Sequence, residues 1–528
     1  MKPLLTLDKL SIKAGDKTLV HEISFSLFPG KCLAIVGESG SGKTLSCLTL
    51  LQLNPDFFQY PSGSIGMEGQ WDPKNPMIRQ WRGKRIGMIF QEPMSALNPT
   101  MRVGEQITEA IQLHLGLTQE EAREKVIALF GEVQIPSPEM AFDKYPHEMS
   151  GGQRQRVMIA MAISCEPEIL LADEPTTALD VSVQQAVLDL LRAIQLKRHM
   201  AMVFVSHDLA VVQSVADEII VMQKGKVVEQ GDAQQVISQP QQAYTQGLLN
   251  CRPHRKSPLY YLPTLQNPDA YVSRPTSVIG EPLIQVKGLT KTYGKFTAVS
   301  EVNFEVFQGE TLGLIGESGC GKSTLSRMLM GLIPITSGEV HWKGSLWFSN
   351  QQGIRKQDRK RVQMVFQDPF SSLNPKITIG EQLMEPMKIH GIGKDSTDRW
   401  KRAVAWMEKV GMPDPEQSLN KYPHAFSGGQ RQRIVIARAL AAEPECIICD
   451  ESVAALDVSV QAQVLNLLNQ LKAELGLTFL FISHDLHVVR YMCDRVMIMQ
   501  KGKLVEVGKT SDVFEHPQHP YSQTLLSQ

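Results

Sequence analysis

The 528-residue sequence contains no run near the roughly 18 uninterrupted apolar residues of a membrane helix, so nothing in it is expected to span a bilayer. Its first residues, Met1-Lys2-Pro3-Leu4-Leu5-Thr6-Leu7-Asp8, lack the long apolar core of a signal peptide, and the protein is expected on the cytosolic side. An excess of charge of one sign is also missing. A formal net charge of −1 argues against a nucleic-acid binder working by bulk electrostatics, leaving only a local basic patch as a possibility. There is no disulfide framework, since eight cysteines lie scattered along the chain. Cys446-x-x-Cys449 has the spacing of a metal or redox pair, but it sits in the apolar run Cys446-Ile447-Ile448-Cys449. Residues three apart on a strand point to opposite faces and could not share one ion, so these read as core thiols. What is present, 42 % hydrophobic and 21 % charged residues, is ordinary for a soluble globular protein of more than one domain.

The chain is organised around an eight-residue stretch that occurs twice. Gly37-Glu38-Ser39-Gly40-Ser41-Gly42-Lys43-Thr44 and Gly316-Glu317-Ser318-Gly319-Cys320-Gly321-Lys322-Ser323 both fit the phosphate-cradling spacing G-x-x-x-x-G-K-[ST]. Glycines let the loop curl so that backbone N–H groups face a nucleotide's phosphates. Lys43 and Lys322 supply a point charge, and the hydroxyls of Thr44 and Ser323 reach a Mg²⁺ ion. A short apolar strand (Leu33–Val36, Leu312–Ile315) precedes each loop and a helix-like run follows, which adds a helix N-terminus to the cradle.

The rest of the sequence repeats in step. Leu10 to Phe25 aligns with Leu289 to Phe304, and Gln91 returns as Gln367. One offset of 277 residues relates Ser150-Gly151-Gly152-Gln153 to Ser427-Gly428-Gly429-Gln430, Asp173-Glu174 to Asp450-Glu451, and His207 to His484. Two copies of one domain, residues 1–250 and 283–528, are thus joined by a segment 251–282. That segment is rich in proline and tyrosine (Pro253, Pro258, Tyr260, Tyr261, Pro263, Pro268, Tyr271, Pro275) and reads as a linker packed on the surface. Within each copy, strands, phosphate loop, helical insert and alternating strands and helices give an α/β layout. The insert opens on Thr118-Gln119-Glu120-Glu121, a capping box, followed by Ala122, Val126, Leu129 and Val133 at helical spacing; Trp400, Val404, Met407 and Val410 match them. Both stripes read as core packing.

Each of the strands Ile169-Leu170-Leu171-Ala172 and Cys446-Ile447-Ile448-Cys449 ends in two carboxylates. Asp173 and Asp450 are placed to hold Mg²⁺, directly or through water. Glu174 and Glu451 are placed to orient, or take a proton from, the water attacking a γ-phosphate.

This ordered set, with Ala178-Leu179-Asp180 and Ala455-Leu456-Asp457, resembles the motifs of ATP-binding cassette (ABC) ATPases over nearly the whole chain. The Ser-Gly-Gly-Gln segment is the specific part, because many unrelated NTPases share only the loop and the acid. The resemblance implies two tandem P-loop NTPase domains, each with a helical subdomain, closing head to tail on two ATP molecules. The loop of one copy would face the Ser150-Gly151-Gly152-Gln153 or Ser427-Gly428-Gly429-Gln430 of the other. It also implies that His207 and His484 bond the γ-phosphate, and that Gln91 and Gln367 sense Mg²⁺ and water while connecting to the helical insert.

The stretches Phe90-Gln91-Glu92-Pro93 and Phe366-Gln367-Asp368-Pro369, with Lys144-Tyr145-Pro146-His147 and Lys421-Tyr422-Pro423-His424, narrow the resemblance. Together with the tails Ala243-Tyr244-Thr245 and His519-Pro520-Tyr521, they are similar to the oligopeptide, dipeptide and nickel importer ATPases. Here the two ATPases are fused, as in a microcin C-type peptide importer. That implies a peripheral protein of the inner membrane, acting with two integral membrane permease subunits and an extracytoplasmic solute-binding protein, with no nucleic-acid partner. The expected cargo is peptide, with nickel, metallophore and glutathione-like solutes open. A soluble tandem-cassette ATPase acting on ribosomes is the rival of another class, and the short mixed linker fits it less well. Three departures matter. The adenine-stacking aromatic is present as Tyr293 but aligns with Ala14, so the first site is expected to bind nucleotide more weakly, on the scale of ~1 kcal/mol. Ser452 stands where the first copy has Pro175, and Met149 and Phe426 replace a leucine of the signature. Some members of the importer group carry a C-terminal iron–sulfur cluster; with Cys251 alone in a tail region, none is expected here.

Overall fold

A computed structural model describes residues 2–67, 70–176, 181–253, 261–265, 267, 280–454 and 456–527. Ala178-Leu179-Asp180, Ala455, and Pro258, Tyr260, Pro268, Tyr271 and Pro275 of the connecting segment lie outside the described residues. The chain divides into two compact units, Met1–Asn250 and Cys251–Gln528.

In the first unit, the fully buried strand Cys32–Val36 is central to a six-stranded sheet. It lies between Ala201–Ser206 and Glu218–Gln223, parallel to both. Ile169–Asp173 and Ile86–Ile89 continue the parallel run on one side, and Lys226–Asp232 closes the other edge antiparallel. Strands buried on both faces need no polar alternation, which is why each reads as a solid apolar run. A four-stranded antiparallel sheet, in the order Lys17–Leu27, Leu5–Ala14, Phe58–Gly66, Gln70–Trp71, shares a core with the first. Leu10, Ile12 and Phe25 of that sheet pack with Leu33, Ile35, Leu171 and Val203 of the parallel one.

The second unit repeats this arrangement, with Thr311–Ile315 as the central strand and Cys446–Asp450 next but one to it. Cys446 enters the core shared with its antiparallel sheet, and Cys449 enters the core under the helices. The two thiols therefore do face opposite ways, as strand geometry requires. All eight cysteines are buried.

The inserts are helical for the reasons visible in the sequence. Thr118 Oγ1 accepts from Glu121 N–H at 3.3 Å while the Glu121 carboxylate accepts from Thr118 N–H at 2.8 Å, starting the helix Gln119–Glu132. Ala122, Val126 and Leu129 on this helix, and Val133 just past its end, are buried. In the second unit Met407 and Val410 are fully buried, with Trp400 and Val404 packed against the same core.

The connecting segment departs from expectation. Its described residues do not simply lie on the surface: Cys251 and Leu262 are 1 % exposed and belong to the core of the second unit. Leu262 is gripped through its backbone by Asn466, on the helix Val458–Leu475. Its N–H donates to Asn466 Oδ1 (2.8 Å), and its carbonyl accepts from Asn466 Nδ2 (2.9 Å). Tyr491 and Asn469 extend the network, at 3.4 and 3.2 Å. The same positions of the first copy hold Asp189, Ser214 and Arg192, which cannot make this set of bonds.

No described helix is long and apolar enough to cross a membrane.

Candidate functional site

The phosphate loop of the first unit leaves the sheet at Gly37 (φ 158°), and a Cβ there would collide with the carbonyl oxygen of Met222. Gly316 meets Met499 in the same way, so glycine is required where the loop crosses the neighbouring strand. Gly42 (φ 100°) and Gly321 (φ 113°) then cap the helices Lys43–Thr49 and Lys322–Leu329 in the left-handed region. Both lysines are buried within their own loops. Lys43 Nζ donates to the carbonyls of Gly37 (2.8 Å) and Glu38 (3.0 Å), and Lys322 Nζ to those of Gly316 (2.6 Å) and Glu317 (2.9 Å).

The carboxylates stand where the strand pattern puts them, at the carboxyl ends of Ile169–Asp173 and Cys446–Asp450. Asp173 Oδ1 accepts from the Thr44 hydroxyl at 3.1 Å. Burial pushes its carboxyl up to about 6, aided by the charge of Glu174 and opposed by the Thr44 bond and by Lys43. Such a group gains from a hard cation beside it, and the donors in reach are all oxygens, so the set fits Mg²⁺. In the second unit Asp450 accepts from Ser326 (3.2 Å), one turn beyond Ser323, and burial likewise raises its carboxyl. Ser323 itself is exposed.

The backbone turns sharply just past each aspartate. Glu174 (φ 46°) and Glu451 (φ 48°) are held in the left-handed region, after their N–H groups have made one last sheet bond to Val205 (3.0 Å) and Ile482 (2.9 Å). Non-glycine residues hold such a conformation only where the surroundings impose it. The result is that one carboxylate oxygen gathers the remaining motif residues. Glu174 Oε2 accepts from Gln91 Nε2 at 3.0 Å and lies 3.3 Å from His207 Nδ1; Glu451 Oε2 does so with Gln367 at 2.6 Å and His484 at 3.6 Å. Burial opposes a charged His207, but the bond and charge of Glu174 outweigh it and raise its pKa. Burial similarly opposes ionisation of Glu451, and His484, Lys322 and Gln367 together lower its pKa.

The signature segments are built separately. Ser150 caps the helix Gly151–Ile163. Its Oγ accepts from Gln153 N–H (3.3 Å), and Gln153 Oε1 accepts from Ser150 N–H (3.1 Å). Ser427 and Gln430 repeat this reciprocal cap at the same distances, ahead of Gly428–Leu440. A Cβ on Gly152 would come within 2.9 Å of Val183, and one on Gly429 would clash with Val460. Each unit thus offers an open helix N-terminus whose first turn is held by its own residues. Within a unit, the hydrogen bonds of Ser150 and Ser427 go to their caps and not to the cluster around the phosphate loop.

Tyr293 is half exposed, and Lys291 Nζ sits 4.8 Å from the centre of its ring. The first unit has Ile12 and Ala14 at these positions, and neither feature recurs.

One contact was not legible in the sequence. The hydroxyl of Tyr244, on the helix Ala243–Asn250, accepts from the N–H of Glu38 at 3.2 Å; that of Tyr521, on Pro520–Leu526, accepts from Glu317 N–H at 3.1 Å. The repeated tails signalled kinship, but nothing local tied them to a loop more than 200 residues away.

With this geometry in hand, comparison with known proteins is decisive. The model of the ABC transporter family matches residues 20–177 and 299–454. The chain belongs to the ABC transporter family. A second model, for the C-terminal region of oligopeptide/dipeptide transporters, matches residues 228–277 and 505–528. Three relatives are named glutathione import ATP-binding protein GsiA. The one from Salmonella paratyphi A is 43 % identical over 543 residues, covering 96 % of this chain and 86 % of that one. Those from Escherichia coli K12 (42 %, 96 % and 86 %) and Pectobacterium atrosepticum (41 %, 97 % and 87 %) are similar throughout. This ABC protein is therefore an ATPase coupled to transmembrane transport, with two fused α/β cassettes of the oligopeptide/dipeptide importer type.

Proposed function

We propose that the chain powers uptake of small peptides by closing its two cassettes on two ATP molecules. The observation carrying this reading is the pair of complete clusters, each with lysine, aspartate, glutamate, glutamine and histidine gathered beside a phosphate loop. Each signature helix N-terminus would meet the γ-phosphate held by the other cassette's loop, so that ATP binding favours the closed form and hydrolysis releases it. Gly37 to Thr44 and Gly316 to Ser323 would cradle the phosphates, and Lys43 and Lys322 would exchange their carbonyl partners for phosphate oxygens. Thr44, Gln91 and Asp173, with Ser323, Gln367 and Asp450, would hold Mg²⁺, which supplies positive charge against the phosphates. Glu174 and Glu451, steadied by Gln91 and Gln367, would orient the attacking water. His207 and His484 would reach the γ-phosphate from the same carboxylate, and Tyr293 would stack on adenine in one site only.

Transport needs membrane permease subunits and an extracytoplasmic solute-binding protein, with this chain at the cytoplasmic face of the inner membrane. Among peptides, glutathione is favoured as cargo by the names of the relatives at 41–43 % identity; it is itself a tripeptide. The test is uptake of labelled glutathione and of a dipeptide by cells lacking the gene, complemented with wild type or with Lys43→Ala/Lys322→Ala. Uptake restored by wild type alone is expected. Uptake of both solutes without the gene, or restored by the double variant, would refute the reading.

A further inference from the structure

We infer that Tyr244 and Tyr521 are positioning residues of the two ATP sites, through which the C-terminal region of each cassette sets nucleotide affinity. The peptide group joining Gly37 to Glu38 is held from two directions. Lys43 donates to this peptide's own carbonyl, that of Gly37, and to the next one, that of Glu38, while the Tyr244 hydroxyl accepts from the peptide's N–H. The Gly316–Glu317 peptide is held identically by Lys322 and Tyr521. When a lysine turns to a phosphate, donors now spent on these carbonyls are drawn to the ligand. The tyrosine bond does not depend on the lysine, and together with the turn bonds from Ser41 N–H to the Glu38 carbonyl (3.1 Å) and from Cys320 N–H to the Glu317 carbonyl (3.2 Å) it holds the start of the loop while its N–H groups point at the ligand. A hydroxyl placed there contributes to binding and not to the chemical step.

The helix bearing the tyrosine is itself fixed to the parallel sheet. The Glu229 carboxylate, on the edge strand Lys226–Asp232, accepts from the N–H groups of Gln241 (2.8 Å) and Gln242 (3.2 Å) at the start of that helix. Glu506 does the same for Gln518 (3.0 Å) and His519 (3.1 Å). Edge strand, carboxylate, helix, hydroxyl and loop form one line of contacts, present in both copies. Glu229 and Tyr244, like Glu506 and Tyr521, fall in the two stretches matched by the C-terminal-region model. That region thereby acquires a task in the ATPase itself.

The test uses the full chain with Tyr244→Phe, Tyr521→Phe and both. Binding of a fluorescent ATP analogue, KM and kcat for ATP, and Tm without nucleotide are measured. Loss of one such bond is expected to raise Kd and KM about three- to ten-fold at the altered site, with kcat at saturation within about two-fold and Tm within about 2 °C. Unchanged Kd would overturn the inference. So would a fall in Tm of more than about 5 °C, which would make the tyrosines props of the fold. The inference rests on ATP being the ligand, and the wild-type arm tests that separately: no binding there would sink the reading of the loops, whereas wild-type binding with unaltered variants would sink only the role of the tyrosines.

Discussion

Replacing Tyr293 with alanine is the most direct probe of the inequality between the two sites. The ring is 51 % exposed and carries the Lys291 ammonium 4.8 Å from its centre. That ammonium is tied to the carbonyl of Pro334 at 2.7 Å, so the pair is fixed before any ligand arrives. An aromatic side chain that buries completely covers about 150–250 Å², so roughly 100 Å² of Tyr293 is open. A base lying on one face would cover about half of that, worth about 1.2 kcal/mol at 25 cal/mol per Å². Part of this survives in the variant, because the base still covers the surface beneath, and ring–ring attraction adds about 0.5–1.5 kcal/mol. A net loss of about 1–2 kcal/mol corresponds to a five- to thirty-fold weaker site. The assay is equilibrium binding of a fluorescent ATP analogue to the full chain carrying Glu174→Gln and Glu451→Gln, which suppresses turnover. Two classes of site are expected in that background, and Tyr293→Ala should merge the tighter into the weaker. Ala14→Tyr should move the weaker class the other way, by less, since Ile12 supplies no ammonium. Equal affinities before mutation, or a change under two-fold on removing the ring, would refute the reasoning.

Two further outcomes are expected. Glu132 ends its insert helix in bonds to Lys197 (3.0 Å) and Arg198 (2.6 Å); burial opposes its ionisation, but Arg198 and Lys197 outweigh burial and lower its pKa. A lowered folded pKa gives stability that is present above the ordinary carboxylate range and lost as pH falls through the folded value. Glu132→Gln should therefore lower Tm by about 1–3 °C at pH 7, with the gap to wild type closing towards about pH 4; a gap constant with pH would contradict this. Asn466→Ala removes both bonds to the Leu262 backbone, so limited proteolysis within residues 251–279 should accelerate several-fold, while an unchanged cleavage rate would show the grip to be dispensable.

The parts of the site legible in the sequence are those set by neighbouring residues. Gly37 and Gly42 announce a loop only glycine can trace, an unbroken apolar run announces the strand that ends in Asp173, and Thr118 with Glu121 announces a helix start. The roles of Gln91 and His207 came from family resemblance, and their meeting on one oxygen of Glu174 was not foreseen, because separate strands lead to these residues and no local spacing links them. Tyr244 on the phosphate loop, Ser326 on Asp450 and Asn466 on Leu262 were missed for the same reason. Each is a bond between distant segments, and each donor or acceptor is ordinary in its own surroundings. The left-handed turn at Glu174 and Glu451 leaves no mark either, since glutamate carries no preference for it.

The burial of Cys251 and Leu262 in the second unit bears on how such a fusion comes apart. A gene split at residue 250 would leave Cys251 and Leu262 with the downstream product, whose core they complete. A split beyond residue 267 would instead leave the upstream product with a peptide tail matched to a groove on its former partner. Separately encoded subunits descended from a chain of this kind would start life already able to recognise each other.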